Sequence, residues 1–183
     1  MGQTEEIMIV GIGHKARHGK STVAETLCEE AYRRGRSARI IGFADALKAY
    51  CRVMHLMKEK DPAQLQAVGS QFRDIDPDFW VKILLHTISE LPLGTLVLVP
   101  DLRYENEARK IRELGGLLID VRRIWPGGQT WYSNDRDPAH ASEVGLDGWE
   151  DWDRTLVAET GDLVGLCNLA RSVYPLTAQE VCL

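Results

Sequence analysis

The sequence predicts an α/β protein of three layers, with a central parallel five-stranded sheet and helices on both of its faces. Short apolar runs alternate along the chain with longer segments whose apolar residues recur at helical spacing. One run, Thr95–Val99, is continuous, apolar and rich in β-branched residues, as expected for a strand that is covered on both faces. Alternating strands and helices of this kind favour a parallel sheet.

Two strand–helix units are predicted in the N-terminal half. Ile7–Val10 reads as a buried strand, and a polar loop separates it from the helix-forming run VAETLCEEAYRR. A second apolar run, Ala38–Phe43, leads into a helix over Ala44–Met57. Two further helices are predicted over Pro62–Phe72 and Asp78–Leu91, the first because a proline stands near its start.

The third strand, Thr95–Val99, is predicted to end at Pro100 and Asp101. The helix Asn106–Leu114 follows and ends at a Gly-Gly pair, which also separates it from a fourth strand over Leu117–Val121. These elements repeat the order of the first two units and extend the same sheet.

The segment 122–139 is rich in Gly, Pro, Asn and Asp and contains two tryptophans. We interpret it as a mobile loop or lid rather than a linker. Beyond it, a short helix is expected within 140–151, a fifth strand over Thr155–Ala158 and a last helix over Leu163–Tyr174.

Composition favours one globular domain over residues 1–183. Hydrophobic residues make up 44% and charged residues 27% of the chain, values that are ordinary for soluble proteins. No apolar run approaches the roughly 20 residues that cross a bilayer, and the acidic, polar start MGQTEE is not a secretory signal. We therefore expect no membrane partner and a cytoplasmic location. The net charge of −5 argues against a protein that mainly binds nucleic-acid backbone.

Four cysteines, at positions 28, 51, 167 and 182, form no CxxC pair. Cys28 and Cys167 fall within helical patterns, where a small buried apolar residue is the expected role. Reduced thiols agree with the cytoplasmic location.

The loop between the first strand and first helix ends in Gly19-Lys20-Ser21. The order strand, loop and helix N-terminus suits a nucleotide triphosphate, because backbone N–H groups, the helix dipole and a lysine converge on one polyphosphate. Lys20 is expected at the β- and γ-phosphates and the Ser21 hydroxyl at Mg²⁺. The residues expected to bind ATP are His14, Lys15, Ala16, Arg17, His18, Gly19, Lys20, Ser21 and Thr22.

This loop departs from the usual spacing at one position. The residue six before Lys20 is His14, where a glycine is usual, and Gly13 stands one residue too early. Either His14 itself adopts the unusual backbone angle, which histidine tolerates better than most residues, or the loop is one residue longer.

Other polar residues cluster where ligands of parallel sheets bind, at the carboxyl ends of the strands. They follow the second, third and fourth strands: Asp45, Asp101, Arg103, Arg122 and Arg123. The predicted fold and the positions of these polar residues therefore indicate a ligand site at the same edge of the sheet.

Six segments in this order support a family resemblance: HKARHGKST, FADALK (Phe43–Lys48), VGSQFRDIDPDFWV (Val68–Val81), VPDLRYENEARKIRELGG (Val99–Gly116), HASE (His140–Glu143) and the ending Asp153…Gly161-Asp162-Leu163. With them the chain resembles the phage-type deoxynucleoside monophosphate kinases over nearly its full length. The resemblance implies a P-loop kinase fold, ATP and Mg²⁺ as cofactors, small nucleotide substrates and a monomer or homodimer.

The chain departs from that family at three places that bear on the metal and adenine sites. Members often carry Asp where Ser21 stands and Gly where His14 stands. The Asn-Asp-Gly that often precedes the last helix reads Glu159-Thr160-Gly161 here.

The expected catalytic residues are Lys20, Asp45, Arg73 and Asp101. Arg73 is the expected clamp for the acceptor phosphate, because guanidinium binds phosphate oxygens bidentately; the alternative is a surface ion pair with Asp74 or Asp76 in the acidic turn 74–77. Asp45 orients or deprotonates the acceptor phosphate, holds Mg²⁺ through water, or caps a helix. Asp101 is either associated with the metal or forms a structural hydrogen bond with the following loop.

Several further residues have two open roles each. Lys15 and Arg17 contact phosphate, as the resemblance suggests, or are solvated, while His18 is expected to contribute its backbone N–H rather than its imidazole. Lys48 contacts the acceptor phosphate or is a solvated helix residue. Trp80 stacks on a base or, as we expect, packs in the core.

The remaining predicted substrate-binding residues surround the acceptor, namely Arg103, Glu105, Ser142 and Glu143. Glu105 alternatively begins a helix, with Asn106 beside it, and the Ser-Glu pair alternatively caps one. Arg123 and Arg136 flank the proposed lid, where they either supply charge to the transition state on closure or remain exposed.

These expectations lead to ATP-dependent phosphoryl transfer to a deoxynucleoside 5′-monophosphate, which gives the diphosphate. Two alternatives stay open at this point. One is a kinase for another acceptor, such as a hydroxymethylated base in DNA or a small metabolite like dephospho-coenzyme A. The other is a regulatory or packaging-type module that binds or hydrolyses ATP without a second substrate.

Overall fold

The computed structural model of the chain describes residues 6–59, 61–134 and 137–174. Over these residues five strands are present: β1 (Met8–Gly13), β2 (Ala38–Ile40), β3 (Leu96–Leu102), β4 (Leu117–Ile124) and β5 (Arg154–Glu159). The helices over the same residues are α1 (Lys20–Arg33), α2 (Phe43–Met54), α3 (Pro62–Ile75), α4 (Phe79–Ser89), α5 (Glu105–Glu113), α6 (Ala141–Val144) and α7 (Leu163–Ser172).

The strands form one parallel sheet in the order β2-β3-β1-β4-β5. The central strand β1 pairs with β3 through Val10 opposite Leu98 and with β4 through Ile12 opposite Ile119. The predicted fold class, a parallel five-stranded sheet between two helical layers, is confirmed. Because β1 lies at the centre, the loop that follows it opens at the middle of the sheet edge.

Two apolar clusters join the helices to the faces of the sheet. On one face α1 and α7 pack Val23, Leu27 and Leu166 against β1 and β4. On the other, α4 and α5 pack Leu84 and Ile111 against strands β3 and β4. Each fully buried side chain of this size contributes roughly 1.5–3 kcal/mol relative to an exposed one.

A third cluster lies among α2, α3 and α4, away from the sheet. Leu47, Cys51, Val68 and Trp80 are buried there. The Trp80 indole N–H donates to the carbonyl oxygen of Gly69 at 3.2 Å, which ties α4 to α3. This cluster holds α2 and α3 in place beside the carboxyl end of β3.

Several element boundaries differ from the prediction. β3 continues through Pro100 and Asp101 to the fully buried Leu102, and β4 continues through Arg122 and Arg123. In β4 the reason is pairing with β5, which persists to Ile124 opposite Glu159 and outweighs the charged composition. The helix α3 likewise runs to Ile75, while β2 ends early, at Ile40.

The segment predicted as a mobile loop or lid begins with an ordered hairpin. The Trp125 N–H donates to the Gln129 carbonyl at 2.8 Å, and the Trp131 N–H donates to the Arg123 carbonyl at 2.9 Å. An antiparallel bridge joins Ile124 to Thr130. Arg136 lies outside the described residues, and closure of the segment stays a prediction.

The cysteines are less buried than predicted at two positions. Cys28 and Cys167 are half-buried, because each stands at the edge of a helix face, whereas Cys51 is buried. Cys182 lies outside the described residues. None of the helices within the described ranges is both long and apolar enough to cross a bilayer.

Candidate functional site

The loop from His14 to Gly19 has the unusual backbone that its sequence predicts. His14 itself takes a φ of 90°, so the first of the two interpretations is confirmed, and Arg17 and Gly19 also have positive φ. A left-handed conformation at a residue other than glycine costs on the order of 1–3 kcal/mol and persists only where surrounding contacts impose it. At His14 those contacts are hydrogen bonds to the Asp120 and Asp147 carboxylates, at 2.9 and 3.1 Å.

Gly19 is the N-cap of α1 and cannot carry a side chain. Its φ is 95°, and a Cβ atom there would collide with the Leu166 side chain. The first turn of α1 has no acidic residue, and no side chain in the described part of the chain caps it. The N–H groups of this helix end are therefore suited to an anionic ligand.

The Lys20 ammonium lies across the loop. It donates to the carbonyl oxygens of His14, at 3.1 Å, and of Lys15. Ser21, which is exposed, and Thr22 follow it in the first turn of α1 and face the same cavity. The structure thus brings together the two side chains that the Gly-Lys-Ser motif assigns to phosphate and metal, Lys20 and Ser21.

Lys15 is not solvated, which was one of its two predicted roles, and its contact with phosphate stays a prediction. Its side chain is buried, and its ammonium donates to the Glu143 carbonyl at 2.9 Å and to the Asp147 carboxylate at 2.5 Å. The reason is that the segment 140–147 packs against the loop and supplies these acceptors. Arg17, in contrast, is exposed and faces the cavity.

The His18 imidazole has a structural role that the sequence did not predict. It is 3% exposed, and both of its ring nitrogens contact backbone groups. Nε2 lies 2.9 Å from the Trp131 carbonyl oxygen, and Nδ1 lies 3.2 Å from both the Val121 carbonyl oxygen and the Arg123 nitrogen. Burial lowers the pKa of His18 from 6.5 to about 4, so the ring stays neutral at physiological pH.

A cavity of about 950 Å³ lies beside this loop. The volume is at the upper end of the roughly 300–1,000 Å³ range of small-molecule sites. Its walls come from the loop and α1, from the start of α2, from α3, and from the carboxyl end of β3 with the residues after it. Predicted site residues in its walls are Ala16, Arg17, Gly19, Lys20, Ser21, Thr22, Asp45, Lys48, Arg73, Trp80, Asp101, Arg103 and Ser142.

Two carboxylates hold the first turn of α2 at the cavity wall. Asp101 accepts hydrogen bonds from the Phe43 and Ala44 N–H groups, both at 2.9 Å. Asp45 accepts from the Gly42 N–H at 2.7 Å and pairs with the Lys48 ammonium at 2.8 Å. Asp45 thus stabilises the start of a helix, which was one of its predicted roles, whereas the structural hydrogen bonds of Asp101 go to α2 and not, as its alternative expected, to the loop that follows it. Each carboxylate also lines the cavity.

Arg73 lies in the last turn of α3, not between two helices as predicted. Its ion pair is with Glu107, at 3.3 Å, rather than with the neighbouring aspartates, because the helix turns its side chain inward. The guanidinium carbon lies 4.1 Å from the centroid of the Tyr104 ring. Arg73 is thus held at the cavity wall on two sides.

Glu143 connects the loop to the opposite wall. Its carboxylate accepts from the Ala16 N–H at 2.9 Å and from the Arg103 guanidinium at 3.2 Å. Arg103 also donates to the Ser142 carbonyl at 3.2 Å. Glu143 itself is buried beside the cavity, so its predicted substrate contact would need a rearrangement, whereas Arg103 and Ser142 line the cavity.

Glu105 does not shape the cavity, contrary to one of its two predicted roles. It is the first residue of α5 and pairs with Arg109 on the exposed side of that helix. Asn106 points away as well, since its amide donates to Pro77 and Asp78. Both belong to the start of the helix, as the alternative expected.

The predicted lid residue Arg123 stands outside the cavity wall. Its guanidinium carbon lies 4.1 Å from the centroid of the Trp131 ring, and Nε donates to the Thr160 hydroxyl at 3.3 Å. The side chain therefore braces the hairpin against the segment before α7. Its role in closure stays a prediction.

Sequence reasoning missed two buried acids that organise the site, Glu107 and Asp120. Glu107 occupies the N3 position of α5 in a capping box whose N-cap is Tyr104; because tyrosine is not a typical N-cap residue, the usual sequence signature is absent. Asp120 is fully buried in β4 and pairs with His14 and Arg122. A single aspartate within an apolar strand was the one available signal for it.

No family model matches this chain, and no curated protein matches it. Solved structures similar to it include an APS kinase of Mycobacterium tuberculosis in complex with AMPPNP and APS, 16% identical, with 92% of this chain and 95% of that chain covered and a TM-score of 0.46. A shikimate kinase of Acinetobacter baumannii in complex with shikimate is 13% identical, with 94% and 93% covered and a TM-score of 0.49. A putative kinase of Chloroflexus aurantiacus is 16% identical, with 93% and 97% covered and a TM-score of 0.48. Likeness at these levels assigns no family, substrate or activity to the chain.

Proposed function

We propose that this protein is a kinase that uses Mg²⁺ and ATP to phosphorylate a deoxynucleoside 5′-monophosphate. The observation that carries the proposal is one cavity with two groups of cations in its walls. Lys20 and the N-terminus of α1 form the first group, and Lys48, Arg73 and Arg103 form the second. Two such groups are suited to two phosphorylated ligands that meet between them.

The residues present fit the metal that this chemistry needs. Within the described ranges no group of three or more His, Cys, Asp or Glu side chains could hold a metal on its own. Mg²⁺ in phosphoryl-transfer sites is bound mainly by substrate phosphates and water with one or two protein ligands, so a closed protein cage is not required. The Ser21 hydroxyl and, through water, the Asp101 carboxylate would be those ligands.

In the proposed reaction an acceptor phosphate oxygen attacks the γ-phosphorus of ATP, and the bond from that phosphorus to the β–γ bridging oxygen breaks. The acceptor phosphate is already anionic, so no strong general base is needed. Lys20 and the loop N–H groups hold the donor phosphates, and Arg73 with Lys48 holds the acceptor phosphate. When bound, Mg²⁺ neutralises charge on the donor.

The test is a kinase assay with Mg²⁺, ATP and a panel of four deoxynucleoside monophosphates, read by chromatography of the nucleotides. We expect ADP and one or more diphosphates in equal amounts, and Arg73→Ala should lower kcat/KM for the acceptor at least 100-fold. Arg109→Ala, a change of an exposed arginine on α5, is the matched control.

Two results would contradict the proposal. ATP hydrolysis that does not respond to any monophosphate and survives Arg73→Ala would favour an ATP-binding module without a second substrate. Transfer to hydroxymethylated duplex DNA or to dephospho-coenzyme A, with no transfer to monophosphates, would favour a kinase for another acceptor.

A further inference from the structure

Glu107 is a buried acid that lies beside Arg73, one of the cations proposed to bind the acceptor phosphate. Its side chain is 2% exposed, yet it lines the wall of the cavity beside Arg73. One carboxylate oxygen accepts from Arg73 at 3.3 Å, and the other accepts from the Arg103 and Tyr104 N–H groups at 2.9 and 3.1 Å. One side chain thus connects α3 to the turn that carries Arg103.

A carboxylate removed from water to this extent is costly, and proteins retain such groups where they have a positional use or a partner that offsets the cost. Burial raises the pKa of Glu107 from 4.5 to about 7, against the opposing influence of Arg73 and the two N–H groups; the Asp101 charge raises it further. Glu107 could cap α5 without contacting Arg73. The backbone N–H groups of Arg103 and Tyr104 bind one carboxylate oxygen, and Arg73 binds the other.

Arg73 is oriented by three neighbours. Glu107 contacts Nη2, the Tyr104 ring lies against the face of the guanidinium, and Gly69 leaves space beside Nη1. A Cβ atom at Gly69 would lie 3.2 Å from Nη1, closer than ordinary contact. Among the described residues no other ion pair of Arg73 is present, and Glu107 contacts Nη2 alone, so N–H donors of the guanidinium remain for a ligand.

We infer that Glu107 is a positioning residue that holds Arg73 in the orientation needed for bidentate contact with the acceptor phosphate. This inference rests on the proposed function, because it assigns the acceptor to the Arg73 side of the cavity. A pre-oriented guanidinium loses less side-chain entropy on binding than a free one, and acceptor affinity gains accordingly. Donor binding at Lys20 involves neither residue.

The experiment measures KM for ATP and for the best monophosphate in Glu107→Gln, Arg73→Ala and the double variant. Glutamine keeps the shape, and with its single oxygen on the capping N–H groups it turns its amide N–H₂ group toward Arg73. We expect Glu107→Gln to raise the acceptor KM about tenfold, with the ATP KM changed less than twofold. The double variant should equal Arg73→Ala alone, because Glu107 acts through Arg73.

One control and two further variants keep the test independent of folding. Glu113→Gln changes an exposed acid at the end of the same helix, where it pairs with Lys110, and serves as the matched control. Gly69→Ala leaves both charges in place but crowds Nη1 and the Leu47 side chain, and it should raise the acceptor KM about threefold. If Glu107→Gln does not fold, as judged by circular dichroism, Glu107→Asp, which keeps the charge on a shorter side chain, decides the outcome by the same rise in the acceptor KM alone.

Equal increases in both KM values, or additive effects in the double variant, would overturn the inference while the proposed function stands. If the wild type transfers phosphate to no monophosphate, binding calorimetry with the same four monophosphates separates the two ideas. A tenfold loss of monophosphate affinity in Glu107→Gln would then support the inference and overturn the function. Unchanged affinity would overturn both.

Discussion

Glu107 makes the stability of the free protein depend on pH in an unusual direction. Its pKa is about 7 in the fold and 4.5 when exposed, so the folded state binds more protons than the unfolded state between these values. The free energy of unfolding must therefore fall as pH rises through that window. At about 1.36 kcal/mol per pKa unit, the full effect is on the order of 3 kcal/mol.

The assay is urea unfolding of the wild type and Glu107→Gln between pH 4.5 and 8. The difference between the two proteins isolates this one group, because every other titrating group is shared. We expect the wild type to lose on the order of 3 kcal/mol relative to the variant from pH 4.5 to pH 7, with no further change above about pH 8. A difference that stays flat across this range would refute the reasoning.

Four other predictions each concern the substitution of one side chain. His18, with its pKa lowered to about 4, should make stability fall as pH drops from 6.5 to 4, and His18→Gln should remove that loss, on the order of 3 kcal/mol, in the same urea series. His14→Gly relieves backbone strain but removes a hydrogen bond from the fully buried Asp120, so we expect a net loss of about 1–2 kcal/mol; a more stable variant would contradict this. Gln66→Met should raise the midpoint of thermal unfolding, because the buried Nε2 of Gln66 has no hydrogen-bond partner among the described residues. Glu143→Gln should raise KM for both ATP and the monophosphate about tenfold, and a change confined to one substrate would argue against the bridging contacts.

The features that could be predicted from sequence are those whose partners are close along the chain. Gly19, Lys20 and Ser21 are adjacent, and the apolar runs of the sheet carry their own signal. The positive φ of His14 could also be anticipated, since the spacing of the motif requires an unusual backbone at that position.

The remaining features depend on partners far along the chain. The Lys15 ammonium is bound by the Glu143 carbonyl 128 positions away, and Arg73 pairs with a glutamate 34 positions away. The charged end of β4 becomes a strand only because β5 pairs with it. Local pattern contains no information on such pairs, so Lys15 could be assigned only to solvent or to phosphate, and Arg73 only to phosphate or to the neighbouring aspartates.

The side of the cavity proposed to bind the acceptor pairs each of its cations with an acid, and this pairing explains why arginine is suited to bind the acceptor phosphate there. Lys48 pairs with Asp45, Arg73 with Glu107 and Arg103 with Glu143, so each cation already has a carboxylate beside it. These pairs limit repulsion among three cations around one cavity, which would otherwise weaken the fold. Both an ammonium and a guanidinium keep N–H donors beyond the one that a carboxylate takes, but only the guanidinium has five donors in a fixed planar arrangement that can contact a carboxylate and a phosphate in defined directions. Because the acids reduce the net positive charge of the wall, recognition depends on the direction of those donors, and for Arg73 Glu107 sets that direction.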